Sequence, residues 1–206
     1  MRKTSCFTLA IALCLLFPVT AFLCGKERWP IKVCKDPNVK FLFKGAKISS
    51  GKLKAAKHTT IADLIDPDNP IGTGISHAEQ FSRVTGTETN IWIIEATITD
   101  FKEEKGADGD NDYHIAIKDS EGNTMIAEIP SPSCLKRTPQ PLRDMIKKAR
   151  ADFDAQFDVT GDFKTTNTKV RITGPAMFDK VHSTEPRGVA PNQIEIHPVI
   201  KIEFIT

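Results

Sequence analysis

The order of strand-like and helix-like apolar patterns along the second half of the chain constrains the fold more than any other feature. Apolar and β-branched residues fill residues 91–99, 113–118 and 124–129, and this pattern predicts three strands. A single apolar stripe at helical spacing comes next, formed by Leu142, Met145, Ile146, Ala149, Phe153 and Phe157. Two further strand patterns end the chain, at residues 170–178 and 194–204.

The order of three strands, one helix and two strands predicts a mainly β fold. It is the order of an OB-like domain, a five-stranded barrel with one helix between strands three and four. An α+β sheet with one packed helix has the same order and is the alternative. A hydrophobic content of 40% with 26% charged residues is typical of a globular domain, which excludes wholesale disorder.

Residue-level signals refine this prediction. Thr60 is expected to cap a short helix over residues 60–65, and Thr138 and Pro139 are expected to cap and open the long helix. Gly174 and Pro175 are expected to interrupt the fourth strand with a bend or bulge.

The N-terminal segment is typical of an export signal. Basic Arg2 and Lys3 precede an apolar run, and small residues at Val19 and Ala21 fit cleavage after Ala21. We therefore expect a signal peptide at residues 1–21 and a periplasmic or secreted protein. An uncleaved segment that anchors the protein in the membrane is the alternative.

The charge is divided unevenly between the regions that follow the signal. Residues 25–57 hold ten basic and two acidic residues, whereas residues 58–206 hold 16 basic and 24 acidic residues. The organisation that follows is a basic arm at residues 22–57, a short helix and loop at 58–89, and the β-domain at 90–206. The arm is expected to contact an anionic envelope surface or nucleic acid, to fold onto the acidic body, or to stay solvated.

Three cysteines remain after the predicted cleavage, namely Cys24, Cys34 and Cys134. Thiols outside the cytoplasm tend to pair. We expect a disulfide between Cys34 and Cys134, and unpaired thiols are the alternative.

Four sequence blocks are distinctive, at residues 26–32, 112–114, 124–132 (TMIAEIPSP) and 188–199 (GVAPNQIEIHPV). Together they resemble a family of uncharacterised exported bacterial proteins. The resemblance implies a signal peptide and an OB-like β-domain, and it implies no established substrate.

An acidic loop at residues 108–112 offers alternating carboxylates, from Asp108, Asp110 and Asp112, that are able to gather around a divalent cation. The loop resembles the Asp-Gly-Asp of thermonuclease-like enzymes, which are OB-folds that use Ca²⁺ to cleave phosphodiesters. Glu128 is the additional acidic candidate for such an enzyme, but the third strand offers no arginine for the phosphate. A metal-dependent phosphodiesterase or nuclease is therefore the alternative function.

Histidines on two strands suggest a second candidate site. Strand alternation directs His114 and His197 away from the apolar faces of their strands. If those strands approach each other, His114, Glu128, Glu195 and His197 form a polar patch that is able to ligate a transition metal or to act in acid–base chemistry. Ordinary surface histidines are the alternative.

The loop between the last two predicted strands adds His182, Arg187 and Asn192, because this loop often contacts ligands in OB-folds. The preferred function is an exported, monomeric binding or accessory protein. Its ligand is expected to be an oligonucleotide, an oligosaccharide or an envelope component, with a divalent metal ion as the possible cofactor.

Overall fold

The computed structural model describes residues 54–66, 86–105, 110–179 and 187–206. The described strands are β1 (Lys57–His58), β2 (Ile91–Glu103), β3 (Tyr113–Lys118), β4 (Thr124–Ile129), β5 (Lys164–Phe178), β6 (Ile194–Ile196) and β7 (Lys201–Phe204). The described helices are α1 (Ile61–Leu64), a 3-10 helix (Pro132–Arg137) and α2 (Gln140–Gln156).

Five of the strands close into a ring. β2 pairs with β3 on one side and with β5 on the other, and β3 pairs with β4, all antiparallel. β6 completes the ring because it pairs in parallel with β4 and antiparallel with β5. β1 and β7 extend the sheet from β2 and β5. The fold is thus mainly β with one main helix, as predicted, and is compatible with both architectures named above.

Strand alternation determines which side chains fill the ring. In β3, Tyr113, Ile115 and Ile117 belong to the hydrophobic core, and so do Met125, Ala127 and Ile129 of β4. The residues between them, including His114 and Glu128, therefore lie on the outer face of the ring.

Helix α2 packs its apolar stripe against the core, since Leu142, Ile146, Ala149 and Phe153 are buried. Its start differs from the prediction. Pro139 is the N-cap residue and no side chain caps the helix, whereas Thr138 ends the 3-10 helix. Proline at this position fixes the backbone for helix entry without a capping hydroxyl.

Helix α1 begins as predicted. The Asp63 amide donates to the Thr60 hydroxyl at 3.0 Å, and the Thr60 amide donates to the Asp63 carboxylate at 3.1 Å. This reciprocal pair is a capping box. Ile61 and Leu64 join the core cluster, so this helix packs on the ring.

The prediction of one continuous last strand was wrong. The segment is two strands, β6 and β7, and both pair with β5 in different registers. Ala176 pairs with Ile196, whereas Thr173 pairs with Lys201, so the chain between them holds two residues more than a continuous ladder needs. A cis peptide bond joins His197 and Pro198 within this interruption.

The predicted interruption at Gly174 and Pro175 is found on one side of β5 only. Both residues stay in register with β2, whereas on the other side the pairing passes from β7 at Thr173 to β6 at Ala176 with a shift of register. Gly174 packs closely against residues of this interruption. A Cβ atom added there would lie 2.5 Å from the Pro198 carbonyl oxygen and 2.6 Å from Ile196. A further irregularity occurs in β2, between Ile98 and Asp100.

Several predictions concern residues outside the described ranges. These are the signal peptide, most of the basic arm, Asp108, His182 and the Cys34 partner of the expected disulfide; Cys134 itself is buried. The disulfide stays a prediction. Within the described part of the chain, no helix is long and apolar enough to cross a membrane.

Candidate functional site

The pairing of three strands assembles a cluster of five ionisable side chains on the outer face of the ring. His114 of β3 lies opposite Glu128 of β4. β6 lies beside β4 and contributes Glu195, with His197 directly after it. Asp112 precedes β3. We refer to Asp112, His114, Glu128, Glu195 and His197 as the His–carboxylate cluster.

His197 is at the centre of this cluster. Its Nδ1 lies 2.9 Å from Glu128 Oε2 and 3.1 Å from Glu195 Oε1. Its Nε2, on the opposite side of the imidazole, lies 4.0 Å from Asp112 Oδ2. One imidazole therefore faces three carboxylates.

The backbone around His197 fixes this position. The His197 amide donates to the Pro175 carbonyl at 3.1 Å, and the Val199 amide donates to the Glu128 carbonyl at 2.8 Å. The segment that interrupts the last strand is thus held between β4 and β5. This arrangement brings the imidazole to the Glu128 side chain.

Asp112 is held from the opposite side. The Ser131 amide donates to Asp112 Oδ1 at 2.6 Å, and the Asp112 amide donates to Asp110 Oδ1 at 3.1 Å. The side chain of Asp112 is only 1% exposed, as is that of His197. Asp112 is therefore buried although it belongs to the acidic loop at residues 108–112.

His114 connects the cluster to the loop that precedes β6. Its Nε2 donates to the Arg187 carbonyl at 2.8 Å. Its Nδ1 faces two carboxylates, Glu104 Oε1 at 3.7 Å and Glu128 Oε1 at 3.8 Å. Glu128 therefore lies between the two histidines.

Burial and neighbouring charges shift the pKa values within the cluster. Burial raises the pKa of Glu195, and the Glu128 and Asp179 carboxylates raise it further. Burial would also raise the pKa of Glu128, but hydrogen bonds from His114 and His197 outweigh it and hold this pKa well below its usual range. The pKa values of the two glutamates are therefore shifted in opposite directions.

The pKa of His114 is raised. Burial alone would lower it, but Glu128, the Arg187 carbonyl and Glu104 stabilise the protonated ring and prevail. A charged His114 then compensates part of the negative charge of the carboxylates.

Three members of the cluster are able to hold a metal ion together. Asp112, Glu128 and His197 each offer one ligand atom, and these atoms all lie within 4.8 Å of one another. Nitrogen and oxygen donors in this combination suit Zn²⁺, Mn²⁺ or Fe²⁺.

The structure brings together five of the residues singled out in the sequence, namely Asp112, His114, Glu128, Glu195 and His197. They are buried or half-buried instead of forming an open surface patch. Their role in ligand binding stays a prediction, as does that of Asp110 in catalysis.

The predicted loop residues are also in structural contacts. The Arg187 guanidinium donates to Asp100, and the Asn192 side-chain amide donates to the Leu64 carbonyl at 2.9 Å. Asn192 Oδ1 accepts from the Ile194 amide at 3.2 Å. The Asn192 side chain thus connects α1 to the start of β6.

The sequence analysis missed two neighbours of His114. Glu104 follows β2, and the ring of Phe163 lies edge-on to His114 with a centroid distance of 5.6 Å. No local pattern marks them, because both reach His114 through pairing of distant strands.

No protein-family model, no curated protein and no solved structure matches this chain.

Proposed function

We propose that this chain is an exported OB-like binding protein that holds one divalent transition-metal ion in the His–carboxylate cluster. The observation that carries the proposal is the convergence of Asp112, Glu128 and His197, whose donor atoms lie within 4.8 Å of one another. The predicted export signal and the resemblance to exported proteins support the proposed location.

The strand order supports the OB-like description. Counted within the ring alone, the strands follow the order one, two, three, five, four and back to one, with the third and fifth strands parallel. The main helix lies between the third and fourth strands of the ring. This strand order supports a five-stranded Greek-key barrel.

His197 Nε2 is the proposed ligand atom. A metal-ligating histidine usually donates its other ring N–H to a carboxylate, and Glu195 Oε1 lies 3.1 Å from Nδ1 for this purpose. Glu195 then orients the imidazole, and Asp112 supplies an oxygen ligand on the Nε2 side. Glu128, whose Oε2 lies 2.9 Å from Nδ1, moves from the Nδ1 side of the imidazole to supply the second oxygen ligand.

Metal binding requires the donor atoms to approach one another. Two ligands at about 2.1 Å from a tetrahedral Zn²⁺ ion are about 3.4 Å apart. His197 Nε2 and Asp112 Oδ2 lie 4.0 Å apart, so this pair needs a contraction of about 0.6 Å. Donor atoms at the 4.8 Å limit need about 1.4 Å, which side-chain rotation is able to supply.

The charge of the cluster favours a cation. A metal-ligating His197 is neutral, so Asp112 and Glu128 carry two negative charges against one positive charge on His114, while the raised pKa of Glu195 favours its neutral form. Buried carboxylates are stable when they are paired or coordinate a metal. A divalent ion among these ligands provides the missing positive charge.

Burial favours binding over turnover of a large substrate. The side chains of Asp112 and His197 are 1% exposed and that of Glu128 is 15% exposed. A polymer such as DNA does not reach ligands at this depth without rearrangement. The nuclease that uses Asp108, Asp110 and Glu128 therefore stays the alternative.

A thermal-shift series tests the proposal. The metal-free protein is melted with Zn²⁺, Mn²⁺, Ca²⁺ or chelator, because a ligand that binds only the folded state stabilises it by about 2.7 kcal/mol at 100 times its Kd. We expect Zn²⁺ or Mn²⁺ to raise Tm by several degrees and chelator to reverse the effect. Equal melting under all conditions would exclude the site.

The same samples distinguish the proposed binding protein from the alternative, a metal-dependent nuclease. Each is incubated with single-stranded DNA and with a chromogenic phosphodiester. Metal-dependent cleavage that is lost in Asp110→Asn would replace the binding protein with the nuclease.

A further inference from the structure

Residues 187–190 form a strap that lies across the outer face of β3 and β4. Gly188 packs on Ala116, where an added Cβ would lie 2.6 Å from the Ala116 Cβ, and its φ of +86° also favours glycine. The Thr124 hydroxyl donates to the Val189 carbonyl at 3.3 Å. Ala190 is 1% exposed. The strap is therefore in close contact with both strands.

The strap is joined to the His–carboxylate cluster through one side chain. The Arg187 carbonyl accepts from His114 Nε2 at 2.8 Å, while the opposite ring nitrogen faces Glu128 at 3.8 Å. Glu128 is also a proposed metal ligand. His114 thus stands between the first residue of the strap and a ligand of the ion.

The Arg187 side chain adds a second connection to the same histidine. Its guanidinium lies over the ring of Phe163, with Cζ 4.8 Å from the centroid, and Phe163 packs edge-on against His114. The backbone and the side chain of Arg187 therefore both meet His114, directly or through one aromatic ring.

We propose that metal binding controls the opening of the strap, and that His114 transmits the effect. The inference rests on the proposed function. An ion that holds Glu128 removes the freedom of this carboxylate to move between the two histidines. His114 then keeps one position beneath Arg187, and the free energy of local opening of the strap rises.

Control of this strap matters because of the face that it covers. In OB-like barrels, ligands contact the outer face of the second and third strands, which are β3 and β4 in this chain. The strap covers Ala116 on that face. Loss of the ion would thus favour exposure of the face, and loading would keep it covered.

Hydrogen exchange of the Gly188, Val189 and Ala190 amides, with Zn²⁺ or with chelator, tests the coupling. Zn²⁺ binding is measured on the same samples by calorimetry. We expect exchange at these amides to slow by about tenfold when Zn²⁺ binds, which corresponds to 1.4 kcal/mol. In His114→Ala, measured at a Zn²⁺ concentration that calorimetry shows to saturate the variant, the effect of Zn²⁺ on the strap should be lost.

Thr124→Val is the matched control, because it removes a strap hydrogen bond without touching the cluster. It should speed exchange with and without Zn²⁺ and preserve the ratio between the two. If Zn²⁺ binds the wild type and leaves strap exchange unchanged, the coupling is wrong and the metal site stands. Absence of Zn²⁺ binding overturns both proposals.

Discussion

His197 Nδ1 lies 2.9 Å from Glu128 Oε2, although these residues belong to segments that are distant in sequence. The contact exists because β6 pairs in parallel with β4 and the chain then turns back towards the end of β4. Glu128 faces His114 as well, so one carboxylate holds two buried imidazoles. The stability and the chemistry of the cluster depend on this residue.

Glu128→Gln should destabilise the metal-free protein by about 3 kcal/mol, since removal of one partner of a buried charge pair leaves the others uncompensated. Urea unfolding in the presence of chelator measures the change. Glu121→Gln, at an exposed position in the turn before β4, should change the free energy of unfolding by less than about 0.5 kcal/mol. Equal stability of the two variants would show that the Glu128 charge contributes nothing.

Stability of the metal-free protein should decrease as the pH rises above about 6.5, the ordinary pKa of histidine. The pKa of His114 is raised in the folded state by Glu128, the Arg187 carbonyl and Glu104. The folded state therefore binds the proton more tightly, and this stabilisation is complete below the unfolded pKa and is lost as pH rises through the folded pKa.

Urea unfolding at several pH values in chelator compares the wild type with His114→Gln. The variant keeps the raised pKa of Glu195. This shift also makes the folded state less stable as the pH rises, but its loss of stability begins at a lower pH than that of His114. The difference between the two curves isolates His114 and should shrink with rising pH. Parallel curves would contradict a raised His114 pKa.

Gly174→Ala should cost about 1 to 3 kcal/mol, because its Cβ would meet the Pro198 carbonyl, a backbone atom that cannot rotate away. The same shift should displace the neighbouring His197 and weaken Zn²⁺ binding. Gly161→Ala is the control, since its Cβ would only touch the flexible Lys105 side chain at 3.4 Å. Melting curves and Zn²⁺ titrations measure both effects; indistinguishable variants would argue against a tight fit at Gly174.

Glu195→Gln should weaken Zn²⁺ binding by about 10- to 100-fold, the usual effect of changing the partner that orients a metal-ligating histidine. Asp144→Asn removes an exposed carboxylate of α2 and should bind Zn²⁺ like the wild type. Calorimetry distinguishes them. Wild-type affinity in Glu195→Gln would remove this residue from the site.

The local sequence pattern predicts the placement of two of the five cluster residues. The alternation in β3 and β4, and the turn at residues 119–123 that joins them, predict that His114 and Glu128 share the outer face. The contact of these two residues with Glu195 and His197 depends on parallel pairing between β4 and β6, which are distant in sequence. The sequence therefore predicts this contact only if the strands approach each other. No local signal indicates that this face is covered, because its cover comes from another part of the chain.

The predictions that the structure contradicts failed for physical reasons. The alternation of apolar residues continues through residues 194–204, so the segment has the pattern of one strand even though its register against β5 shifts by two residues. Asp112 lies in a run of acidic residues that is typical of a solvated loop. Its burial follows from the hydrogen bond that the Ser131 amide, beyond the end of β4, donates to it.

Calorimetric titration of Zn²⁺ into the metal-free wild type, His197→Ala and His58→Ala tests the metal site most directly. His58 is exposed and lies outside the cluster, so its replacement removes an imidazole without touching the proposed ligands. We predict one ion per chain for the wild type and His58→Ala, and affinity lower by about 100-fold, or 2.8 kcal/mol, for His197→Ala. Equal binding by all three proteins, or no binding by the wild type, would contradict a metal site at Asp112, Glu128 and His197.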